Sequence, residues 1–419
     1  MIVHSTRGAS QATMTEAIAL GLAPDGGLFM PPALPPSARH WPDALADIAT
    51  AVLQPMFAGE PLAEHVAACV QESFTFEAPI RWIDDRTGLL ELFHGPTGAF
   101  KDFGARFLAS VLSRLPSNST RTVLVATSGD TGAAVAAAFH RRAGFRVLVL
   151  YPDGRVSPRQ AHQLGAFGDN VRAFRVAGTF DDCQRLVKGA LGDADLVRRH
   201  GLTSANSISL GRLLPQMAYY AHASQACLRA GRDMPGFVVP TGNLGNALAA
   251  LLARERGLPI RKVMLATNAN RSLVALAATG RFAPAATVAT LANAMDVGAP
   301  SNAERLLARF PQMRHALEAD WVDDEAIRAT IADTHARLGL AICPHTACGM
   351  QVLSRLRARG DADTWIVAAT AHAAKFDTVV EPVIGRPVPV PGPLAELLAR
   401  PSHAEPLEAT PEALVRVLG

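Results

Sequence analysis

From about residue 89 onward, short runs of Leu and β-branched residues alternate with Ala-rich segments. The runs LLELF (89–93), RTVLVAT (121–127), FRVLVLY (145–151), GFVVPT (236–241), KVMLAT (262–267) and TWIVAAT (364–370) predict strands. They are apolar nearly throughout, as strands covered on both faces are. Strand and helix in alternation therefore predict an α/β fold with a largely parallel sheet between helical layers. Several runs pass straight into a Gly, Ser, Thr or Asn loop and then a helix, and ligands in such folds sit at those C-terminal strand ends.

The flanks have a different texture. Residues 1–80 predict a mostly helical N-terminal unit, with a loop at PDGG (24–27), a Pro-rich stretch PPALPPS (31–37) and an amphipathic helix in WPDALADIATAVLQPMF (41–57). After Arg386, PVPVPGP (387–393) predicts a turn or linker leading into a short helical tail. The expected division is 1–80, 81–386 and 387–419, without a repeat of fixed period.

Composition narrows the function classes. The 419 residues are 49% hydrophobic and 18% charged, and the net charge of +3 arises from 40 basic and 37 acidic residues spread along the chain. That balance gives no case for a nucleic-acid or membrane partner. Apolar stretches such as 244–253 stop short of a membrane span, and MIVHSTRGAS is not a signal pattern, so a cytoplasmic protein is expected. Five scattered cysteines, Cys69, Cys183, Cys227, Cys343 and Cys348, suit a reducing compartment. Cys343 and Cys348 bracket His345 in CPHTAC, but neither a C-x-x-C pair nor a second His at metal-ligand spacing accompanies them, and no metal is expected.

Four loops carry candidate chemistry. TSGDTG (127–132) follows one strand and opens a helix, where free N–H groups and hydroxyls favour an anion; Ser128 or Asp130 acting only as a helix cap is the plainer alternative. TGNLGN (241–246) stands in the same setting, with Gly242 and Gly245 allowing close approach of a bulky anion. It is neither G-x-G-x-x-G nor a Walker loop, which weakens nicotinamide and ATP readings.

HGPTGAFKDFGARF (94–107) places Lys101 between Phe100 and Phe103. An amine in a partly apolar site beside other cations loses proton affinity and attacks aldehydes, although a lone lysine at a helix start is more often a solvated charge. The chain has only four lysines: Lys188 and Lys262 have surface settings, and Lys375, after the last strand, is better placed to neutralise an anion. In NSISLGRLLPQ (206–216), Asn206 and Ser207 precede Arg212, a donor set suited to a phosphate dianion if Arg212 is not simply on a helix surface.

Taken in order, these segments resemble the threonine synthases of the longer bacterial and fungal type, enzymes of fold type II that use pyridoxal 5'-phosphate (PLP). The resemblance runs from GLAPDGGLFMP (21–31) through the loops above, LYPDGRVSP and NAMDVGAPSN (293–302), to ATAHAAKF (369–376). It implies two parallel-sheet α/β subdomains plus the helical N-terminal domain, a monomer, and conversion of O-phospho-L-homoserine and water to L-threonine and phosphate. It further implies that Lys101 is the Schiff-base lysine, that Gly242, Asn243, Leu244, Gly245 and Asn246 hold the cofactor phosphate, and that Thr370 faces the pyridine nitrogen. The substrate carboxylate would meet Thr127, Ser128, Asp130 and Thr131, and its phosphate Asn206, Ser207 and Arg212, with Lys375 in addition. A neutral hydroxyl at the ring nitrogen favours elimination and replacement over transamination. The departures are Leu244 for Phe, Gly98 for Leu and Ala373 for Pro. Alternatives are another fold type II lyase, such as a threonine dehydratase, or a silent binding protein.

Overall fold

A computed structural model describes residues 1–36, 40–117, 119–313 and 317–419, so Ser37 of the Pro-rich stretch lies outside the described residues. Two parallel sheets organise the chain. One has six strands in the spatial order Glu318–Trp321, Lys262–Thr267, Gly236–Pro240, Trp365–Ala369, Thr87–Glu91 and Ile80–Asp84, parallel except for the last pair. The other is parallel throughout, in the order Glu405–Glu408, Val171–Ala177, Phe145–Pro152, Arg121–Ala126 and Leu202–Ser204.

Both sheets are covered on both faces, as the unbroken apolar runs require. Successive side chains on a strand point to opposite faces. In Arg121–Ala126, Val123 and Val125 join one core while Leu124 and Ala126 join another. In Trp365–Ala369, Ile366 and Ala368 go to the first core, and Trp365 and Val367 to a third.

All six predicted runs form strands; the flanks differ from expectation. The N-terminal unit has the helices Met14–Leu20, Leu45–Leu53 and Val66–Ser73, but it begins with an antiparallel sheet of Ile2–Ser5, Gln11–Thr13 and Phe29–Met30. Strands of two to four residues are too short for alternation to show. The expected 41–57 helix ends at Leu53, and Pro55 lies in the 3-10 turn Gln54–Phe57, since proline has no N–H for a continuing helix. The tail holds the helices Gly392–Leu398 and Pro411–Leu418, and between them Glu405–Glu408 adds an edge strand to the second sheet. Its Pro406 and flanking glutamates suit an edge and hide the strand from a hydrophobicity pattern. Among the described residues no helix is long and apolar enough to cross a membrane.

Candidate active site

The C-terminal strand ends of both sheets meet at one cleft, lined by Lys101, Thr127, Ser128, Asp130, Thr131, Asn206, Ser207, Arg212, residues 242–246 and Thr370. Of the sequence-predicted residues, Lys375 alone is not on its wall.

Lys101 opens the helix Lys101–Arg114. The loop before it is tied to the helix by Asp102, which accepts hydrogen bonds from the Thr97 N–H (2.9 Å) and Thr97 Oγ1 (2.7 Å). The Phe100 ring centroid lies 5.0 Å from Lys101 Nζ, and only 15% of the lysine side chain is exposed. Burial brings the amine down to about 8, with Asp130 opposing this and Lys375 and Arg212 adding to it. An amine so poised is a competent nucleophile near neutral pH.

Asp130, the first residue of the helix Asp130–Phe139, stands between two ammonium groups. Its Oδ1 is 2.8 Å from Lys375 Nζ and its Oδ2 is 3.8 Å from Lys101 Nζ. Burial favours the neutral acid, but Lys375 and then Lys101 outweigh it and hold the carboxyl below the usual range, ionised. Gln160 Nε2 donates to the same Oδ1 at 2.9 Å. That approach needs Gly129: its φ is +129°, and a Cβ there would come within 2.5 Å of the Gln160 side chain. Thr127 Oγ1 accepts from the N–H groups of Gly129 (2.9 Å) and Gly132 (2.8 Å), fixing the turn.

The loop after Gly236–Pro240 leads into the helix Gly245–Glu255 through Leu244, which is fully buried and holds a φ of +64°. The N–H groups of residues 242–246 have no acceptor among the described residues, so this helix start offers unfilled donors to the cleft. Gly242 is required by packing, since a Cβ there would lie 2.6 Å from Met295 Cα.

Arg212, in the helix Leu210–Leu213, is 2% exposed and pairs with no carboxylate among the described residues. One Nη donates to the Ala205 carbonyl, and Nε is buried without a partner. Burial pulls its proton affinity down to about 10, which leaves it charged at neutral pH. A buried unpaired cation is costly, so an anion from outside the chain is its natural complement. Ser207 accepts from Asn243 Nδ2 at 2.5 Å and keeps its own hydroxyl proton to donate.

Three of the residues expected to contact substrate also have partners within the chain. Lys375 is wholly buried, its Nζ paired with Asp130 and donating to the Thr97 carbonyl at 2.7 Å. The Asp130 carboxylate faces both lysines. Asn206 spends its amide on Ala126, donating to the carbonyl at 2.8 Å and accepting the N–H at 3.2 Å, which braces the strand end.

Sequence reasoning overlooked His345, weighed above only as a metal ligand. It lines the cleft, and its Nε2 accepts the Ala294 N–H at 3.1 Å. Burial, opposed by Asp130, brings it down to about 4, so the imidazole is neutral. Arg305 was also overlooked, because nothing in AERLLAR sets it apart from a surface arginine. Of the departures, Leu244 lines the cleft, whereas Gly98 and Ala373 are not on its wall, and Gly98 lies beside the Lys375 stem.

These groups fit PLP: an amine of depressed basicity for the aldehyde, unfilled N–H donors at a helix start for the phosphate, and Thr370, buried at a strand end, for the ring. The chain's relatives agree. The model of pyridoxal-phosphate dependent enzymes matches residues 89–370, and those of the threonine synthase N terminus and C-terminal region match 3–74 and 346–417. Threonine synthase of Haemophilus influenzae is 39% identical over 390 residues, covering 91% of this chain and 90% of its own. The crystal structure of threonine synthase from Escherichia coli superposes with a TM-score of 0.93 at 36% identity, over 100% of this chain and 99% of that one. PLP-bound threonine synthase from Brucella melitensis gives 0.88 at 31% identity, over 100% and 98%. With the pyridoxal-phosphate model spanning most of the chain and these relatives nearly all of it, the chain belongs to the threonine synthase family of PLP-dependent lyases.

Proposed function

We propose that this chain converts O-phospho-L-homoserine and water to L-threonine and inorganic phosphate. The observation that carries the reading is Arg212: a buried guanidinium with no carboxylate partner, on the cleft that also holds the poised Lys101 amine. A lyase acting on threonine or serine would have no dianion to place there.

In this reading Lys101 holds the cofactor aldehyde, the N–H groups of Gly242 to Asn246 hold its phosphate, and the Thr370 hydroxyl faces its ring nitrogen. When bound, PLP supplies an electron sink that makes protons beside the amino-bearing carbon removable. Lys101 Nζ would take the protons from Cα and then Cβ and return one to Cγ and one to Cα. Thr127, Ser128, Thr131 and the start of the Asp130–Phe139 helix receive the substrate carboxylate. Arg212 and Ser207 grip the γ-phosphate and stabilise its charge as the Cγ–O bond breaks, and water then adds at Cβ.

The proposal includes the division into 1–80, 81–386 and 387–419, with the tail serving as an edge of the second sheet. It also includes a cytoplasmic monomer. Five free, buried cysteines support the compartment. Support for the monomer is that exposed large apolar side chains are few among the described residues: Ile2, Leu20, Leu228, Met234, Val288 and Val415.

Turnover with O-phospho-L-homoserine, set against L-threonine and L-serine as sole substrates, tests the reading. Threonine formation from the phosphate ester is expected, and preferential deamination of threonine or serine would overturn it.

A further inference from the structure

Asp130 belongs to the five-stranded sheet's side of the cleft, whereas Lys101 and Lys375 follow strands of the six-stranded sheet. Two lysines therefore converge on one carboxylate across the junction of the sheets, and they do not share it equally. Lys375 Nζ lies 2.8 Å from Oδ1, within direct ion-pair contact, while Lys101 Nζ is 3.8 Å from Oδ2, beyond a good hydrogen bond. Gln160 fills the near oxygen further at 2.9 Å.

Lys375 is itself held. Its Nζ donates to the Thr97 carbonyl at 2.7 Å, and the N–H and Oγ1 of Thr97 donate to Asp102, so the ammonium is anchored to the loop that presents Lys101. The lysine sits in the short turn Ala373–Phe376, which is capped by His372 Nδ1 accepting from Ala374 N–H at 3.2 Å. The other charged or titratable groups around the two lysines are Arg212, which repels the Lys101 ammonium, Cys343, a buried thiol that stays neutral, His345, a neutral imidazole, and Asp102, which faces Lys375 and accepts from Thr97. Among the described residues Asp130 is the one anion on the cleft wall with Lys101, and Lys375 occupies it.

We propose that Lys375 is a positioning residue of this centre: by taking the near oxygen of Asp130 it withholds a counterion from Lys101 and keeps the Lys101 amine reactive. A second ammonium close by penalises the charged form of Lys101. This rests on the reading that Lys101 carries the cofactor.

The test measures, over a range of pH, how fast the full chain, freed of cofactor, couples to PLP, with borohydride trapping and peptide mapping to locate the adduct. Wild type should show an amine titrating well below an ordinary lysine. Lys375→Met should move that titration upward by about one pH unit or more, a roughly tenfold slower coupling at neutral pH. Lys375→Arg, which keeps the charge, should restore most of the wild-type profile. Asp130→Asn, which removes the shared anion, should move it the other way, so opposed shifts are the signature and simple loss of structure would not produce them. A wild-type profile in a folded Lys375→Met would overturn the proposal. Should that variant not fold, an unmoved or upward profile in Asp130→Asn would do so. An adduct mapped away from Lys101 would overturn the underlying reading as well.

Discussion

Arg305 Nη1 donates to Asn302 Oδ1 at 2.9 Å, and Asn302 Nδ2 in turn donates to the carbonyl of Asn243 at 3.0 Å. A wholly buried guanidinium thereby braces the 242–246 loop from behind, while its Nε holds the Phe29 carbonyl at 2.9 Å and its other Nη the Ile208 carbonyl. One side chain ties the N-terminal unit, the 206–208 turn and the candidate phosphate loop together. Replacing Arg305 by Met should cost about 3 kcal/mol of stability, because three buried acceptors lose their donor. It should also weaken PLP retention, measurable by dialysis and cofactor absorbance. Full cofactor retention together with wild-type stability would contradict this linkage.

Arg212 is a different test. If its guanidinium binds the phosphate of the substrate, Arg212→Gln should lower kcat/KM for O-phospho-L-homoserine by roughly 10- to 150-fold, the loss of a charge-assisted hydrogen bond of about 1.5–3 kcal/mol. Cofactor loading, read from absorbance, should persist. Arg212→Lys should recover little, since an ammonium lacks the planar fork.

The pH dependence of Lys101 has a definite sign in cofactor-free protein. The amine titrates near 8 when folded against 10.5 for an ordinary lysine, so between those values the unfolded chain binds more protons. The destabilisation from burying Lys101 is full below about 8 and fades as pH rises toward 10.5. Denaturant unfolding of wild type and Lys101→Met should therefore diverge most below pH 8, by on the order of 3 kcal/mol in favour of the Met variant, and converge at higher pH. A pH-independent difference would contradict the depressed basicity.

Gly242→Ala should act through packing. The added Cβ would lie 2.6 Å from Met295 Cα, a backbone atom that cannot swing aside. Overpacking of this kind costs about 1–3 kcal/mol. Displacement of the loop should also weaken PLP binding, which a fluorescence titration would detect.

How much of this was legible in the sequence follows from the physics of each signal. The strands Arg121–Ala126, Phe145–Pro152 and Gly236–Pro240 are buried on both faces, and their unbroken apolar runs announce that. Lys101 and the TGNLGN loop were legible because a rare lysine and glycines at a strand-to-helix turn have few structural excuses. Contacts set by the meeting of two sheets were not. That Lys375 would face Asp130, or that Asn206 would bond Ala126, depends on residues 80 or more positions apart. Likewise Arg305 reads as a surface residue until the strand carrying Phe29 is laid across it. Edge strands such as Glu405–Glu408 leave no hydrophobic trace at all.

The central claim is that this chain makes threonine with Lys101 at the reacting centre. The most direct measurement is paired quantification of inorganic phosphate and L-threonine released from O-phospho-L-homoserine by the purified, PLP-loaded protein, run beside Lys101→Ala. The account predicts equal amounts of the two products from the wild type and loss of both in the variant; a PLP-loaded wild type that releases neither, or a Lys101→Ala protein that releases both at the wild-type rate, would contradict it.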